Sequence, residues 1–347
     1  MQPKNYAWAI IGAGPAGITA VGLLLDAGVS GKDILWIDPD FQAGDFGKKW
    51  GEVNSNTRVC LFQNYLHGVA HFNYDKRPAP FSLDELDREG FTLLKQVKEP
   101  LLWATSQLQE KVVTKKTHAR ALSVEAGAWQ IHTDLDNCYA EKVILSIGSE
   151  AKSLDYPGVE KIDLDLALTP SVLKKSCNKN DVVAVFGSSH SAMIIVRNLI
   201  EAGVQNIINF YQSPLRYAVL MDDWILYDDT GLKGETAAWV REHISKNPLP
   251  QIKRYLATSE HIDEQLPNCN KAVYAVGFQP RHIPVAGVSL ANYDSSNGII
   301  APGLFGLGIG FPITVTDPFG RKEANVGVWK FLKNMRRVLP LWQKYGL

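Results

Sequence analysis

Three glycines near the amino terminus have the spacing of a phosphate-binding turn. Gly12, Gly14 and Gly17 form a G-x-G-x-x-G pattern between the apolar run 7–11 and the helix-forming run 18–27. In such a turn the first glycine permits a tight bend, the second lets the backbone approach a pyrophosphate, and the third lets helix pack on strand. The positive end of the helix dipole then faces the pyrophosphate. The predicted contact residues are Gly12, Gly14, Pro15, Ala16 and Gly17.

An acidic residue completes this predicted dinucleotide site. The apolar run 34–37 predicts a second strand, which ends at Asp38, 21 residues after Gly17. In a dinucleotide-binding βαβ unit, a carboxylate at this position accepts hydrogen bonds from ribose hydroxyls. Residues 7–38 are therefore predicted to form such a unit. A glycine-rich turn in another α/β fold is the alternative, and the position of the acid disfavours it.

A second unit of the same kind begins at residue 181. The run 181–186 predicts a strand, 193–202 predicts a helix, and 206–211 predicts a second strand. Only one glycine remains in the turn between them. Serine and alanine still permit close backbone approach, and serine hydroxyls can donate to phosphate. The predicted contact residues are Gly187, Ser188, Ser189, Ser191 and Ala192.

Composition limits the classes of protein. The 347 residues suffice for two domains of ~100–200 residues each. Lysine plus arginine equals aspartate plus glutamate at 36 each, which argues against nucleic acid or an anionic membrane as a partner. No apolar run approaches the ~18–20 residues of a membrane span, and the first strand begins too early for a signal peptide, so a cytoplasmic location is expected. The four cysteines have no C-x-x-C spacing, so the neighbouring cysteine pair that stores two electrons in many two-site reductases is missing.

The segments between the two units must position these turns. Residues 41–80 follow no regular period, but their aromatic content argues against disorder. The pattern over 82–85 is typical of a capping box, and a helix interrupted at Pro100 is predicted over 89–109. Four alternating runs then predict a small antiparallel meander. These runs are 112–117, 120–125, 129–133 and 139–147.

A feature of the first half of the chain recurs in the second half. One apolar strand ends at Gly148 after the first unit, and a similar strand ends at Gly277 after the second. Two such strands indicate that the chain crosses between two domains. A glycine-rich strand over 303–310 and a helix over 322–337 are predicted to complete the first domain.

In this order the segments resemble the flavoproteins with two nested dinucleotide-binding domains, most of all the flavin-containing monooxygenases and next the thioredoxin reductase-like enzymes. The first turn with Asp38 matches the family's FAD site, and 187–192 matches its G-x-S-x-S-A turn for NADPH. Residues 275–278 resemble its A-T-G-Y segment. The resemblance implies an α/β fold of two nested Rossmann-like domains with a small antiparallel β-meander. The implied bounds are 1–150 and 277–347 for the FAD domain and 151–276 for the NAD(P)H domain.

The resemblance also implies further site residues. Gly44 and Trp50 resemble a glycine–tryptophan segment near the flavin, and Asn56 resembles an asparagine beside the isoalloxazine ring. Asn56 is therefore one candidate catalytic residue. His190 is the other, because its place in the second phosphate turn would let it donate to the cofactor or act as an acid near the flavin. An Asx turn at Asn56 and a half-exposed turn residue at His190 are the alternatives. Other cofactor contacts are expected at Val113, Gly148, Gly277 and Gly308.

Two departures from the family pattern bear on the chemistry. The fingerprint F-x-G-x-x-x-H should precede the second turn, but Ile162 occupies the histidine position, which argues against oxygen insertion and leaves cofactor binding intact. Gln212 stands where an NADPH-selective arginine is common. Arg216, four residues later, is the candidate contact for a 2′-phosphate, so NADPH is favoured over NADH.

The expected chemistry is hydride transfer from NAD(P)H to FAD and electron delivery to oxygen or another acceptor. Three hypotheses stay open: a monooxygenase acting on a small nitrogen or sulfur nucleophile, a reductase or oxidase without oxygen insertion, and a non-catalytic redox-sensing module. The substrate and the oligomeric state are not determined by the sequence. No metal is expected, because His67 and His71 lack the glutamate of an H-E-x-x-H pattern. The acidic pairs 222–223 and 228–229 are interpreted as a solvated loop.

Overall fold

The computed structural model describes residues 4–347 as two units. Unit 1 comprises the chain up to Lys48, Thr57–Glu150 and Pro280–Leu347, and unit 2 comprises Lys49–Asn56 and Ala151–Gln279. The segment Lys49–Asn56, which the sequence placed in the first domain, thus groups with unit 2.

The helices are α1 Pro15–Asp26, α2 Gly44–Lys49, α3 Val59–His67, α4 Lys95–Gln109, α5 Leu164–Ala167, α6 Pro170–Ser176, α7 His190–Glu201, α8 Gly234–Val240, α9 Ser259–Gln265 and α10 Val328–Lys344. The strands are β1 Asn5–Ile11, β2 Ile34–Asp38, β3 Val113–Lys116, β4 Ala119–Glu125, β5 Ala128–Thr133, β6 Asn137–Leu145, β7 Ser149–Ala151, β8 Glu160–Ile162, β9 Val182–Phe186, β10 Asn206–Tyr211, β11 Val219–Leu220, β12 Ile225–Leu226, β13 Ile252–Leu256, β14 Lys271–Tyr274, β15 Phe278–Pro280, β16 Ile299–Ala301, β17 Leu304–Gly306, β18 Thr314–Thr316 and β19 Lys322–Ala324.

Unit 1 is built on a sheet of eight strands. Six of them lie in the order β16-β17-β6-β1-β2-β3, and the other two branch from β6, which pairs with β5, which in turn pairs with β4. β1 pairs in parallel with β2 and β6, so that Ile11 lies opposite both Ile37 and Leu145. β17 and β3 also run parallel to their neighbours β6 and β2. The carboxyl ends of five strands therefore meet at one edge, where ligands bind in open α/β sheets.

Alternating side chains of β1 cover the two faces of this sheet. Trp8 and Ile10 pack in the cluster that contains the buried residues of α1, α3, α4 and α10. Ala9 and Ile11 pack in a second cluster, with residues of β4 and β5. The first strand reads as an almost continuous apolar run because both of its faces are buried.

Unit 2 repeats the plan with a five-stranded parallel sheet of order β13-β10-β9-β14-β8. Val183 and Val185 of β9 pack with α7. Ala184 and Phe186 pack on the other face with Phe210 of β10. The fold class predicted from the sequence is confirmed, with both strand–turn–helix–strand units at the predicted positions.

The predicted meander is wrong in its first strand. Residues 113–116 pair in parallel with β2, and Val113 lies opposite Leu35. The strand follows α4, and a strand–helix–strand crossover produces parallel pairing. β4, β5 and β6 form the antiparallel part.

Residues 41–80 contain more helix than predicted, because α2 and α3 lie in this stretch. Val59, Phe62 and Leu66 of α3 are buried at the spacing of one helical face. The predicted capping box is wrong by one residue. The backbone N–H of Phe81 donates to Oδ2 of Asp84 at 2.8 Å, and the element is a short 3₁₀ helix. The helix predicted over 89–109 begins at Lys95 and continues through Pro100.

The last predicted elements are displaced. Residues 322–324, predicted to begin the terminal helix, pair in antiparallel fashion with β18. Gly327 adopts φ +147°, which favours glycine, and α10 begins at the next residue. The strand predicted over 303–310 is limited to β17, since the chain turns at Gly308 with φ +103°. Among residues 4–347, no helix combines the length and apolar character needed to cross a membrane.

Candidate functional site

The first glycine turn is tightly packed at two of its three glycines. A Cβ added at Gly12, whose φ is +107°, would lie 2.3 Å from the carbonyl oxygen of Ser146. A Cβ added at Gly17 would lie 1.9 Å from the carbonyl oxygen of Gly12. The Ser146 hydroxyl also shares its single proton between the carbonyls of Ile11 and Gly12, which lie 2.9 and 3.1 Å from its oxygen. Strand β6 and helix α1 thus hold the turn in place.

Gly14, by contrast, faces open space. No protein atom lies within 4 Å of a Cβ added there, and its φ of −73° is accessible to any residue. Gly14 is the N-cap of α1, and no side chain caps that helix. The first-turn N–H groups, which have no partner inside a helix, therefore border a cradle that fits a pyrophosphate.

Two glycines predicted from the family resemblance lie beside this cradle. A Cβ added at Gly44 would be 3.0 Å from the Cα of Gly14. A Cβ added at Gly308 would be 2.7 Å from the Cβ of Ala16. The structure thus brings together predicted residues that are almost 300 positions apart in the chain.

Asp38 is buried at the end of β2 and ties that strand to the turn. Its Oδ2 accepts the N–H of Ala13 at 2.7 Å, and its Oδ1 accepts those of Asp40 and Phe41 at 3.0 and 2.7 Å. A carboxylate oxygen can accept two hydrogen bonds, which leaves Oδ2 one acceptor position for a ribose hydroxyl.

The residues that follow β6 make two further contacts at this edge of the sheet. A Cβ added at Gly310 would lie 2.3 Å from the carbonyl oxygen of Gly148. The Arg281 guanidinium donates to the carbonyl of Ile147 at 3.4 Å and pairs with Asp45, at the start of α2. No sequence motif indicated Asp45 or Arg281, because their pairing depends on chain segments 236 residues apart.

The second turn repeats the packing of the first. Gly187 has φ +124°, and a Cβ there would lie 2.4 Å from the carbonyl oxygen of Ala275 and 3.2 Å from the Cβ of Ala192. Gly277, at the end of the neighbouring strand, has φ +99° and open space where its Cβ would be. The Ser188 hydroxyl donates to the Ser213 carbonyl at 2.9 Å, so its proton is already used within the protein.

A buried polar pair that the sequence did not indicate supports this turn. Asn209 of β10 donates to the carbonyls of Val185 and Gly187 at 2.9 and 2.8 Å. Arg254 of β13 donates through Nε to Oδ1 of Asn209 at 2.9 Å. The only available signal was the polar character of Asn209 within an apolar strand.

His190 is the first residue of α7. Both ring nitrogens are buried, and neither has a hydrogen-bond partner within the described chain. Burial, aided by the positive charge of Lys233, lowers the pKa of His190 to about 4. The imidazole is therefore neutral at pH 7, and it can donate one N–H and accept one hydrogen bond.

The other residues that the sequence analysis discussed lie outside the two glycine turns. Trp50 packs against the core of unit 2, and Asn56, which is exposed, belongs to the same unit. Arg216 is exposed, with its guanidinium 5.3 Å from the centre of the Tyr227 ring. Ile162 is buried in the core of unit 2 as the last residue of β8.

The histidines and cysteines have the following surroundings. Within residues 4–347, no group of three or more histidine, cysteine or acidic side chains is arranged to hold a metal ion. His71 instead contacts Asp26, and His67 contacts Asp75 at 3.0 Å. All four cysteines are free, and burial raises the pKa of Cys138, Cys177 and Cys269.

The chain is similar to a characterised protein along nearly its whole length. It is 32% identical over 388 aligned positions to "Monooxygenase AgnR1" of Paecilomyces divaricatus, covering 98% of each chain. The chain belongs to the flavoprotein monooxygenase family. The search against family models found no match.

Solved structures of low sequence identity share the fold. A flavin-containing monooxygenase from Stenotrophomonas maltophilia superimposes with a TM-score of 0.63 at 14% identity, covering 99% of this chain and 98% of that one. L-lysine 6-monooxygenase from Pseudomonas syringae gives 0.62 at 13% identity, covering 98% and 100%. Lactococcus lactis thioredoxin reductase gives 0.56 at 13% identity, covering 98% and 99%. This family member has the fold of flavoproteins with two dinucleotide-binding domains.

Proposed function

We propose that this protein is an NAD(P)H- and FAD-dependent enzyme that passes electrons from the nicotinamide to oxygen and inserts oxygen into a small nitrogen or sulfur nucleophile. The observation that carries the proposal is the open cradle at Gly14, bordered by an uncapped helix and by Gly44. A second glycine turn, at Gly187, also supports the proposal, because it is packed as tightly against the neighbouring strand as the first turn is at Gly12.

Unit 1 is the proposed FAD site. The first-turn N–H groups of α1 would hold the pyrophosphate, and the open acceptor position on Asp38 would bind a ribose hydroxyl. Gly44 and Gly308 allow neighbouring backbone to approach this helix end. When bound, the flavin accepts hydride and delivers electrons to oxygen. The Asp45–Arg281 pair would keep the start of α2 against the carboxyl end of β6.

Unit 2 is the proposed site for the nicotinamide donor. No side chain caps the start of α7, and the Ser188 hydroxyl in the preceding turn is already bonded to the Ser213 carbonyl. The backbone rather than that hydroxyl would therefore bind the pyrophosphate. His190, neutral at pH 7, would donate a single N–H to the bound cofactor rather than act as an imidazolium acid. NADPH is the preferred donor in this proposal.

A reductase that releases its electrons without oxygen insertion is the second candidate. Ile162 favours it, because a buried isoleucine in β8 cannot replace the hydrogen bonds of the fingerprint histidine. Asn56 is the residue that we propose, from the family resemblance alone, to affect the fate of the reduced cofactor, and the two candidates differ in that fate. Shielding of the reduced cofactor from water is needed only for oxygen insertion.

Steady-state turnover separates these candidates. The purified protein is expected to contain FAD and to oxidise NADPH in air, and the ratio of peroxide released to NADPH consumed reports the fate of oxygen. A ratio that falls well below one when a library of amines and thioethers is added supports oxygen insertion. A ratio of one with every compound supports the oxidase alternative, and NADPH oxidation only with an added artificial acceptor supports the reductase. Absence of flavin contradicts the proposal.

A further inference from the structure

One donor of the Arg254 guanidinium is left over inside unit 2. Its Nη2 is buried and has no hydrogen-bond partner among residues 4–347. An unpaired buried donor is unfavourable, and more so when the group is charged. The guanidinium remains charged, although burial lowers the pKa of Arg254. An unsatisfied buried donor calls for an explanation, and a bound anion would supply the missing acceptor.

Arg254 is fixed in place through its Nε. Its Nε bonds to Oδ1 of Asn209, whose own amide bonds to the carbonyls of Val185 and Gly187. Asn209 lies directly opposite Arg254 in the parallel pairing of β10 with β13. The guanidinium is thus tied by two hydrogen-bonded steps to the turn that would hold the pyrophosphate.

The position of the guanidinium indicates which part of a dinucleotide it would meet. Its central carbon lies 4.6 Å from the centre of the Tyr211 ring, and Tyr211 is the last residue of β10. In a dinucleotide-binding βαβ unit, the end of the second strand is where the adenosine ribose binds, and an arginine nearby accommodates a 2′-phosphate. The next residue, Gln212, is neutral, so no carboxylate at that position repels a phosphate.

We propose that Arg254 is a specificity-determining residue that binds the 2′-phosphate of NADPH. The inference rests on the proposed function, since it assumes that unit 2 binds a nicotinamide dinucleotide. Arg216 is the competing candidate, but it is exposed and its guanidinium lies over Tyr227. Arg254 is held by its Nε contact before the ligand arrives, so less side-chain freedom is lost when the phosphate binds.

The test uses two probes that differ only in the 2′-phosphate, namely 2′,5′-ADP and 5′-AMP, titrated calorimetrically into the holoenzyme. The wild-type protein should bind 2′,5′-ADP at least tenfold more tightly. Arg254→Gln keeps an amide donor for Asn209 but removes the charge. It should weaken binding of 2′,5′-ADP by about tenfold or more, the loss of one charge-assisted contact, and leave 5′-AMP within twofold. Arg241→Gln is the matched control, because it removes an exposed guanidinium that lies over Tyr217.

The outcomes are distinct. Equal losses for both probes would overturn the inference, because they would mean that Arg254 only supports the Gly187 turn through Asn209. An unchanged Arg254→Gln, or a loss confined to Arg216→Gln, would overturn it as well. If Arg254→Gln does not fold, the wild-type ratio still decides, since equal binding of the two probes overturns the inference and leaves the dinucleotide site intact. Wild-type protein that binds neither probe would overturn the proposed function of unit 2 itself.

Discussion

The carboxylate of Asp38 lies 2.7 Å from the backbone nitrogen of Ala13, so the end of β2 is bonded directly to the first glycine turn. The same carboxylate accepts two further backbone N–H groups on its other oxygen. One side chain therefore fixes the turn and the start of the following loop, in addition to its proposed contact with ribose.

Asp38→Asn should lower both stability and flavin binding. In place of Oδ2, or of Oδ1 if the amide flips, the variant presents an NH₂ donor to a backbone N–H donor. At least one buried N–H then loses its acceptor, at a cost of ~1–3 kcal/mol. Urea unfolding and the flavin content after dialysis measure the two effects. Asp40→Asn, at a less buried position paired with Lys48, is the control and should change stability by less than ~1 kcal/mol. A fully stable Asp38→Asn would contradict this account of the turn.

Gly14→Val should give a folded but colourless protein. The new side chain meets no protein atom within 4 Å of its Cβ, and it projects into the proposed pyrophosphate path. Gly17→Ala makes the comparison, because its Cβ would lie 1.9 Å from the Gly12 carbonyl oxygen and should destabilise the fold itself. Melting temperature and visible flavin absorbance distinguish the two effects. Full flavin occupancy in folded Gly14→Val would show that the pyrophosphate lies elsewhere.

His190 should make stability depend on pH below neutrality. Burial lowers its folded-state pKa from 6.5 to about 4, so between these values the unfolded chain binds the proton more readily. The free energy of unfolding is therefore level above pH 6.5 and falls as the pH drops towards 4, by at most about 3 kcal/mol from this residue. His190→Asn should flatten that part of the urea-unfolding profile, and His118→Asn, at an exposed position, should not. Superimposable profiles for wild type and His190→Asn would refute the assignment.

The cysteines should differ in reactivity towards alkylating reagents. Cys138, Cys177 and Cys269 are buried, and burial raises the pKa of Cys269 to about 11, so little thiolate forms at pH 8. Cys60 is only partly buried. Iodoacetamide should therefore label Cys60 first in the native protein and the other three only after unfolding, as peptide mass spectrometry would show. Early labelling of Cys269 would contradict the packing described for unit 2.

Local patterns were sufficient to predict both strand–turn–helix–strand units. Gly12, Gly14, Gly17 and Asp38 lie within one βαβ unit, so their contacts follow from short-range geometry. The second turn was likewise predicted from one glycine among small residues. The family resemblance added Gly44 and Gly308, which the structure places beside the first turn.

Contacts that depend on strand register or distant segments could not be predicted. Asn209 meets Arg254 only because β10 pairs with β13 in one particular register. Arg281 meets Asp45 across 236 positions of the chain. Residues 113–116 alternate in polarity like a meander strand. They nevertheless pair in parallel with β2, because helix α4 connects the two strands as a crossover. In each case tertiary connectivity, rather than local pattern, decides the outcome.

Anaerobic rapid mixing tests the central claim most directly, namely that electrons pass from NADPH through bound FAD to oxygen. The account predicts that NADPH bleaches the visible absorbance of the protein-bound flavin and that NADH does so less effectively. It further predicts that the absorbance returns when the reduced protein, with NADP⁺ bound, is mixed with oxygenated buffer, and that Asn56→Ala changes the rate of that return. A flavin that neither nicotinamide reduces, or that stays bleached in oxygen, would contradict the account.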